Sequence, residues 1–143
     1  MPMILRGLPL AALLLAVPAA AEKIACPAEI KTSAAQLATP IDGWTARADS
    51  VATQLSGVTF YEGAPKEGGS LAPDDEKHTK AKITATWRLA GMPSSVYWLG
   101  CRYANTTLTL ERQLPAGTKE CTVNYDPTAT VDGMPVIQDI ACK

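Results

Sequence analysis

Acid–base or nucleophilic catalysis in this sequence would have to run through His78, its single imidazole. A hydrolase needs a nucleophile, a base and a group that orients the base. His78 instead closes the charge run Asp74-Asp75-Glu76-Lys77-His78. In that setting a solvated loop residue is a simpler reading than a triad base. No G-x-S-x-G elbow occurs. The carboxylates Asp74, Asp75 and Glu76 raise the question of calcium or general-acid work, but the calcium-loop pattern is absent. Adjacent carboxylates on a polar segment are ordinarily solvated. The expectation is therefore no catalytic residue, no metal site and no cofactor.

Recognition is better served than catalysis. Trp98 and Arg102 are four residues apart on what reads as a strand, hence on one face, opposite Cys101. Tyr61 and Glu62 stand at the start of a long polar segment and are expected to border the same area. Trp, Tyr and Arg are the residue types that concentrate binding energy at interfaces. The competing reading buries Trp98 beneath the 62–79 segment, with Arg102 covering its edge, as tryptophans in central strands commonly are.

The elements that position these residues are strands. Over residues 82–89, Ile83, Ala85, Trp87 and Leu89 alternate with Lys82, Thr84, Thr86 and Arg88, the pattern of a half-buried strand. Gly91, Pro93, Ser94 and Ser95 make a turn. Residues 96–103 follow as a strand apolar on both faces. Residues 106–114 put Leu108, Leu110 and Leu114 inward. Residues 119–125 align Cys121, Val123 and Tyr125, and residues 136–142 close the chain after turn signals at Asp126-Pro127 and Asp132-Gly133. Five strands joined by short turns read as an antiparallel meander. Earlier in the chain, alternation of Ile24, Cys26, Ala28 and Ile30 predicts an N-terminal strand, with shorter ones at 44–48 and 58–61 and a helical turn at 33–37. Residues 62–79 hold Gly63, Pro65, Gly68, Gly69 and Pro73 and read as a long loop, a feature that is usually functional or mobile. The fold class is mainly β: a disulfide-stapled antiparallel sandwich or open barrel in a single domain.

The first residues have the form of an export signal. Arg6 precedes an apolar run over 8–19, which ends at Ala19-Ala20-Ala21. That is a charged region, a hydrophobic region and a small-residue cleavage site. The run is shorter than the roughly 20 residues needed to span a bilayer. Glu22 and Lys23, just before Ile24-Ala25-Cys26, argue against lipidation of Cys26. The division is a signal peptide over 1–21 and an exported domain over 22–143, with no membrane anchor after cleavage. Removing Arg6 from the 13 basic residues leaves 12 against 14 acidic ones, a formal charge of −2. No basic cluster forms, which speaks against nucleic acid as a partner. The four cysteines, Cys26, Cys101, Cys121 and Cys142, include no C-x-x-C, so neither a redox pair nor a zinc ribbon is suggested. An even count in an exported chain predicts two disulfides. The segments around Cys121 and Cys142 resemble hairpin arms, which favours Cys121–Cys142 and leaves Cys26–Cys101. The rival pairing is Cys26–Cys142 with Cys101–Cys121.

The string Tyr97-Trp98-Leu99-Gly100-Cys101-Arg102-Tyr103 carries a family likeness. Cys26-Pro27, Gly43-Trp44, Leu71-Ala72-Pro73-Asp74, Trp87, Leu114-Pro115 and the spacing to Cys121 and Cys142 add to it. Together they resemble a family of small exported proteobacterial proteins of unassigned function, over nearly the whole mature chain. These are framework residues, so the resemblance implies compartment and fold and transfers no catalytic residue. Asn105-Thr106-Thr107 matches a glycosylation acceptor, but in a bacterial protein, as the resemblance implies, it reads as a turn.

The expectation is a non-enzymatic periplasmic or secreted binding protein. Its partner would be another protein of the cell envelope, and its role to inhibit or neutralise an envelope-active enzyme or toxin. The alternative is a module for a small ligand or glycan, and a hydrolase is the least supported. An open, flat aromatic patch favours a protein or glycan, whereas a deep pocket with convergent polar groups favours a small ligand or catalysis. The sequence leaves the oligomeric state open.

Overall fold

A computed structural model describes residues 24–33, 38–47, 49–67 and 69–143. The expected signal peptide and its cleavage site lie outside these residues, as do residues 34–37 of the expected helical turn. Among the described residues the chain forms nine strands and no helix: β1 (Glu29–Ser33), β2 (Ser50–Glu62), β3 (Gly69–Leu71), β4 (Asp75–His78), β5 (Ile83–Arg88), β6 (Tyr97–Tyr103), β7 (Thr109–Gln113), β8 (Glu120–Val131) and β9 (Met134–Cys142). They build two antiparallel sheets. One has the order β1-β2-β6-β7 with β3 also on β2; the other has the order β4-β5-β8-β9.

This corrects the expected meander. β5 pairs with β8 and not with β6. The inward row of β5 and its continuation, Ala85, Trp87 and Leu89, and that of β6, Tyr97, Leu99 and Cys101, are all buried. Laid edge to edge, the two rows would share one uncovered face. Crossing between sheets at the 91–95 turn sets them against each other, which removes both from water. Phe60 of β2 and Trp87 of β5 make the centre of that contact, with ring centroids 4.8 Å apart and planes tilted by 49°. The Trp87 indole N–H donates to the Leu71 carbonyl at 3.0 Å, so its one polar group is satisfied. Phe60, Leu99, Val123 and Cys121 are excluded from solvent altogether.

Two disulfides staple the sandwich. Cys121 faces Cys142 across β8 and β9, with Cα atoms 4.1 Å apart. Cys26 joins Cys101 of β6, tying the N-terminal segment to a central strand. The same segment is held by the Tyr103 hydroxyl, which donates to the Pro27 carbonyl at 2.9 Å, and by burial of Ile24. The N-terminal strand begins later than the alternation suggests, at Glu29, because residues 24–28 run as a pinned segment with no ladder of their own.

Several local expectations also change. Residues 44–47 form no strand, and Ala48 lies outside the described residues. The 62–79 stretch is not one loop: it contains β3 and β4, both short edge strands. β4 is exposed at every position, so it shows no apolar alternation to read. Leu114 is buried, but Leu108 and Leu110 are 46% and 37% exposed. They have the inward parity, Leu110 facing Cys101, but β7 is an edge strand, and among the described residues they are only partly covered. Asp126-Pro127 is no turn. β8 continues to Val131, and the register against β9 shifts between Asp126 and Thr130. The Asp126 carboxylate accepts from the Thr128 N–H at 2.8 Å and from its hydroxyl at 2.6 Å. Pro127 has no N–H to give the ladder, and a bulge accommodates it. The turn is Asp132-Gly133 alone, with φ of 52° and 75°, the two positive values that a two-residue hairpin of type I′ requires.

Candidate functional site on the outer face of the five-stranded sheet

On β6, alternation sends Tyr97, Leu99, Cys101 and Tyr103 to the core and Trp98, Gly100 and Arg102 to the opposite face. In the antiparallel register Trp98 lies opposite Tyr61, Gly100 opposite Thr59 and Arg102 opposite Gly57. On the other flank Trp98 meets Gln113, Gly100 meets Glu111 and Arg102 meets Thr109 of β7. Tyr61, Trp98 and Arg102 therefore share one face. Tyr61 and Trp98 are directly paired, and both remain partly open to solvent. The tryptophan buried in the core is Trp87.

Two glycines shape this face. A Cβ on Gly100 would lie 3.1 Å from Cε2 of Tyr61, so the phenol ring reclines diagonally across the neighbouring strand into the space a side chain would occupy. A Cβ on Gly57 would lie 2.6 Å from Nη2 of Arg102. The guanidinium thus lies over Gly57, while Arg102 as a whole remains exposed. Side chains already ordered in this way lose less entropy when a partner arrives. Arg102 also acts at a distance on Tyr125: burial raises that phenol's pKa, the Glu76 carboxylate raises it further, and Arg102 opposes both.

Glu62 does not join the other three. It pairs with Tyr97, one position out of step, so its side chain leaves toward the other side. There Oε1 accepts from the Ser95 hydroxyl at 2.9 Å. The Gly63 N–H donates to the Val96 carbonyl at 2.7 Å, and the Gly91 N–H donates to the Tyr97 hydroxyl at 2.7 Å. Glu62 belongs with the bonds that fasten the 91–96 turn.

The outer face of the four-stranded sheet contrasts with this one. It carries a polar chain in which the Thr84 hydroxyl donates to Asn124 at 2.7 Å and the Asn124 amide donates to Asp139 at 3.0 Å. His78 and Glu76 are hydrogen-bonded to each other on the exposed strand β4. Asp74 accepts from the Arg88 N–H at 2.6 Å, a contact that seats β4 beside β5. Among the described residues no three His, Cys, Asp or Glu side chains converge as metal ligands.

The fold and this face can be set beside known proteins. The family model described as type VI secretion system Tli immunity protein matches residues 48–143. The chain belongs to the Tli immunity protein family. The matched span runs from just before β2 to the C-terminus and includes every strand but β1, the aromatic face and Cys101, Cys121 and Cys142. No curated protein and no solved structure matches the chain. The framework motifs suggest a family of unassigned function, whereas the family that matches is named for a role, and Cys26-Pro27 and Gly43-Trp44 lie outside the matched span. An immunity protein neutralises a secreted toxin by binding it, so Tli membership implies a toxin as binding partner and inhibition by binding.

Proposed function

We propose that this protein is exported to the periplasm and there neutralises a toxin delivered by a type VI apparatus, with Tyr61, Trp98 and Arg102 at the centre of the contact. The observation that carries the proposal is the paired, part-exposed Tyr61–Trp98 surface flanked by Arg102, on a sheet whose family works by binding. Aromatic and arginine side chains on a rigid strand pair are the usual anchors of a protein interface. Tyr61 and Arg102 lie back over Gly100 and Gly57, against the sheet. A flat surface suits a macromolecule better than a small ligand, which needs a concave site. Export is supported by the signal-like residues 1–21 and by two disulfides, which persist in oxidising compartments.

The test is affinity capture with the mature protein from periplasmic extract of cells that contain the toxin, followed by mass spectrometry and a survival assay. Recovery of one secreted toxin, with survival of cells exporting this protein, is the expected result. Survival without any toxin bound to the protein contradicts the proposal.

A further inference from the structure

We infer that β7 is an open sheet edge to which an extended segment of the toxin adds as a further strand, with one of its apolar side chains seated in the cleft beyond Gln113. The inference rests on the reading of the chain as a toxin-binding immunity protein, and it names how that partner is held.

The phase of the hydrogen bonds fixes which backbone groups β7 leaves open. The Leu114 N–H donates to the Tyr97 carbonyl at 2.8 Å, and these two residues continue the β6–β7 register by one step. Tyr97 and Leu114 are therefore a hydrogen-bonded pair. Such pairs alternate with non-bonded ones along an antiparallel ladder. The backbones of Leu99–Arg112 and Cys101–Leu110 are thus bonded, and those of Trp98–Gln113, Gly100–Glu111 and Arg102–Thr109 are not. The other flank of β6 agrees. The Gly63 N–H donates to the Val96 carbonyl at 2.7 Å, which puts Trp98, Gly100 and Arg102 in the bonded phase with β2. On β7, then, the N–H and C=O groups of Thr109, Glu111 and Gln113 point away from β6. Among the described residues no strand lies beyond them. An extended chain is the partner that matches a row of donors and acceptors spaced in this way.

The other edges are less open. β4 carries a charged or titratable side chain at each position, Asp75 to His78. β9 holds Pro135 and shifts register against β8. Charge, proline and bulges all discourage strand addition. β1 lies outside the family match, whereas β7 lies within it. β7 has no proline and pairs with β6 without a shift. A fully overlapped β7–β7 pairing with a second copy would set Glu111 against Glu111, like charges directly opposite each other. The toxin is the occupant that avoids this clash.

β7 also borders the aromatic face. Gln113, Glu111 and Thr109 have the parity of Trp98, Gly100 and Arg102, so an added strand extends the surface that Tyr61 and Trp98 begin. At the Gln113 end this surface runs into a cleft of about 440 Å³. Val96, on the Trp98 side of β6, lines it together with Gln113, and Leu89, Met92, Leu114 and Pro115 supply apolar wall. The Ser95 hydroxyl is engaged with Glu62 at 2.9 Å and the Thr118 hydroxyl with the Pro115 carbonyl at 2.7 Å. What the cleft offers is mainly apolar surface, with Met92 77% and Val96 42% exposed. That suits a Leu, Met or aromatic side chain carried on the added strand.

The test measures binding of the full exported protein to the purified type VI toxin that the wild type captures. Glu111→Pro removes an outward N–H and leaves the β6–β7 bonds intact, since an edge strand accepts proline where its N–H faces solvent. Its melting temperature stays near the wild-type value while affinity falls by about tenfold or more. Glu111→Ala keeps the N–H and keeps affinity within about threefold of wild type. Met92→Lys places a charge in the cleft and lowers affinity by about tenfold or more. If Glu111→Pro is poorly produced, amide hydrogen exchange of the wild type decides. The Thr109, Glu111 and Gln113 amides exchange fast in the free protein and become protected in the complex. Wild-type affinity in Glu111→Pro or Met92→Lys, an equal loss in Glu111→Ala and Glu111→Pro, or edge amides that stay unprotected overturns the inference. The proposed function still stands in those cases if Trp98→Ala/Arg102→Ala has lost binding. A toxin-free dimer that Glu111→Pro dissociates assigns the edge to a second copy and overturns the inference. A wild type that binds no toxin overturns both.

Discussion

The ring of Tyr61 lies over Gly100, at a distance that leaves no room for a Cβ without movement. The way Tyr61 lies back against the sheet depends on that missing side chain. Gly100→Val is expected to lift Tyr61 off the sheet and weaken toxin binding more than it weakens the fold. Parallel thermal melts and affinity measurements on Gly100→Val and Tyr61→Ala check this. The two variants should lose affinity to a similar degree.

The two disulfides should contribute unequally. They close loops with sequence separations of 21 and 75 residues. On chain-entropy grounds the shorter loop contributes about 3 kcal/mol and the longer about 4.5 kcal/mol. Denaturant unfolding of Cys121→Ser/Cys142→Ser and Cys26→Ser/Cys101→Ser should therefore show the larger loss in the second variant. Non-reducing peptide mapping of the wild type should return both cross-links and no free thiol.

Burial raises the Tyr103 phenol above its ordinary value of 10.0. The neutral form is the one the fold favours, and its hydroxyl donates to the Pro27 carbonyl. A folded pKa above the unfolded one gives stability that is fully present below pH 10 or so. That stability is lost as pH rises through the folded value. Unfolding free energy should thus fall on the alkaline side, and Tyr103→Phe should flatten that fall. The same variant should lose about 1 kcal/mol at neutral pH for the missing hydrogen bond.

Asp126 behaves in the opposite sense. Hydrogen bonds from the Thr128 hydroxyl and N–H hold its carboxyl below 3.8. Its contribution is present above the unfolded value and disappears as pH falls through the folded one. An NMR titration should show a depressed midpoint that moves back toward 3.8 in Thr128→Ala.

The alternating rows at 83–89 and 97–103 were legible because burying one face imposes a period of two on the residues themselves. The β8–β9 hairpin was legible for the same reason, and Asp132-Gly133 marks its turn. Sheet partnership was not, since the row of Trp87 and the row of Leu99 satisfy their periodicity whether strands lie edge to edge or face to face. β4 escaped notice because an edge strand exposed on both sides, such as Asp75–His78, has no apolar signal. At the site, Tyr61, Trp98 and Arg102 fall on one face as parity requires. Glu62 falls on the other because a shift of one residue reverses direction in a strand. The reclining of Tyr61 and Arg102 into glycine gaps is a cross-strand relationship that only the register reveals. Trp44 reads in the sequence as the start of a short strand at 44–48, and its exposure shows only in three dimensions.

The most direct measurement is the dissociation constant of the purified toxin for wild type and for Trp98→Ala/Arg102→Ala, with melting temperatures of the single variants taken alongside. Each truncation should cost about 2 kcal/mol or more of binding, so a micromolar complex becomes undetectable while the fold survives with a modest drop in melting temperature. The contrary result is a Trp98→Ala protein that loses roughly 3–5 kcal/mol of stability, the signature of a cavity in a core, and binds the toxin normally whenever it is folded.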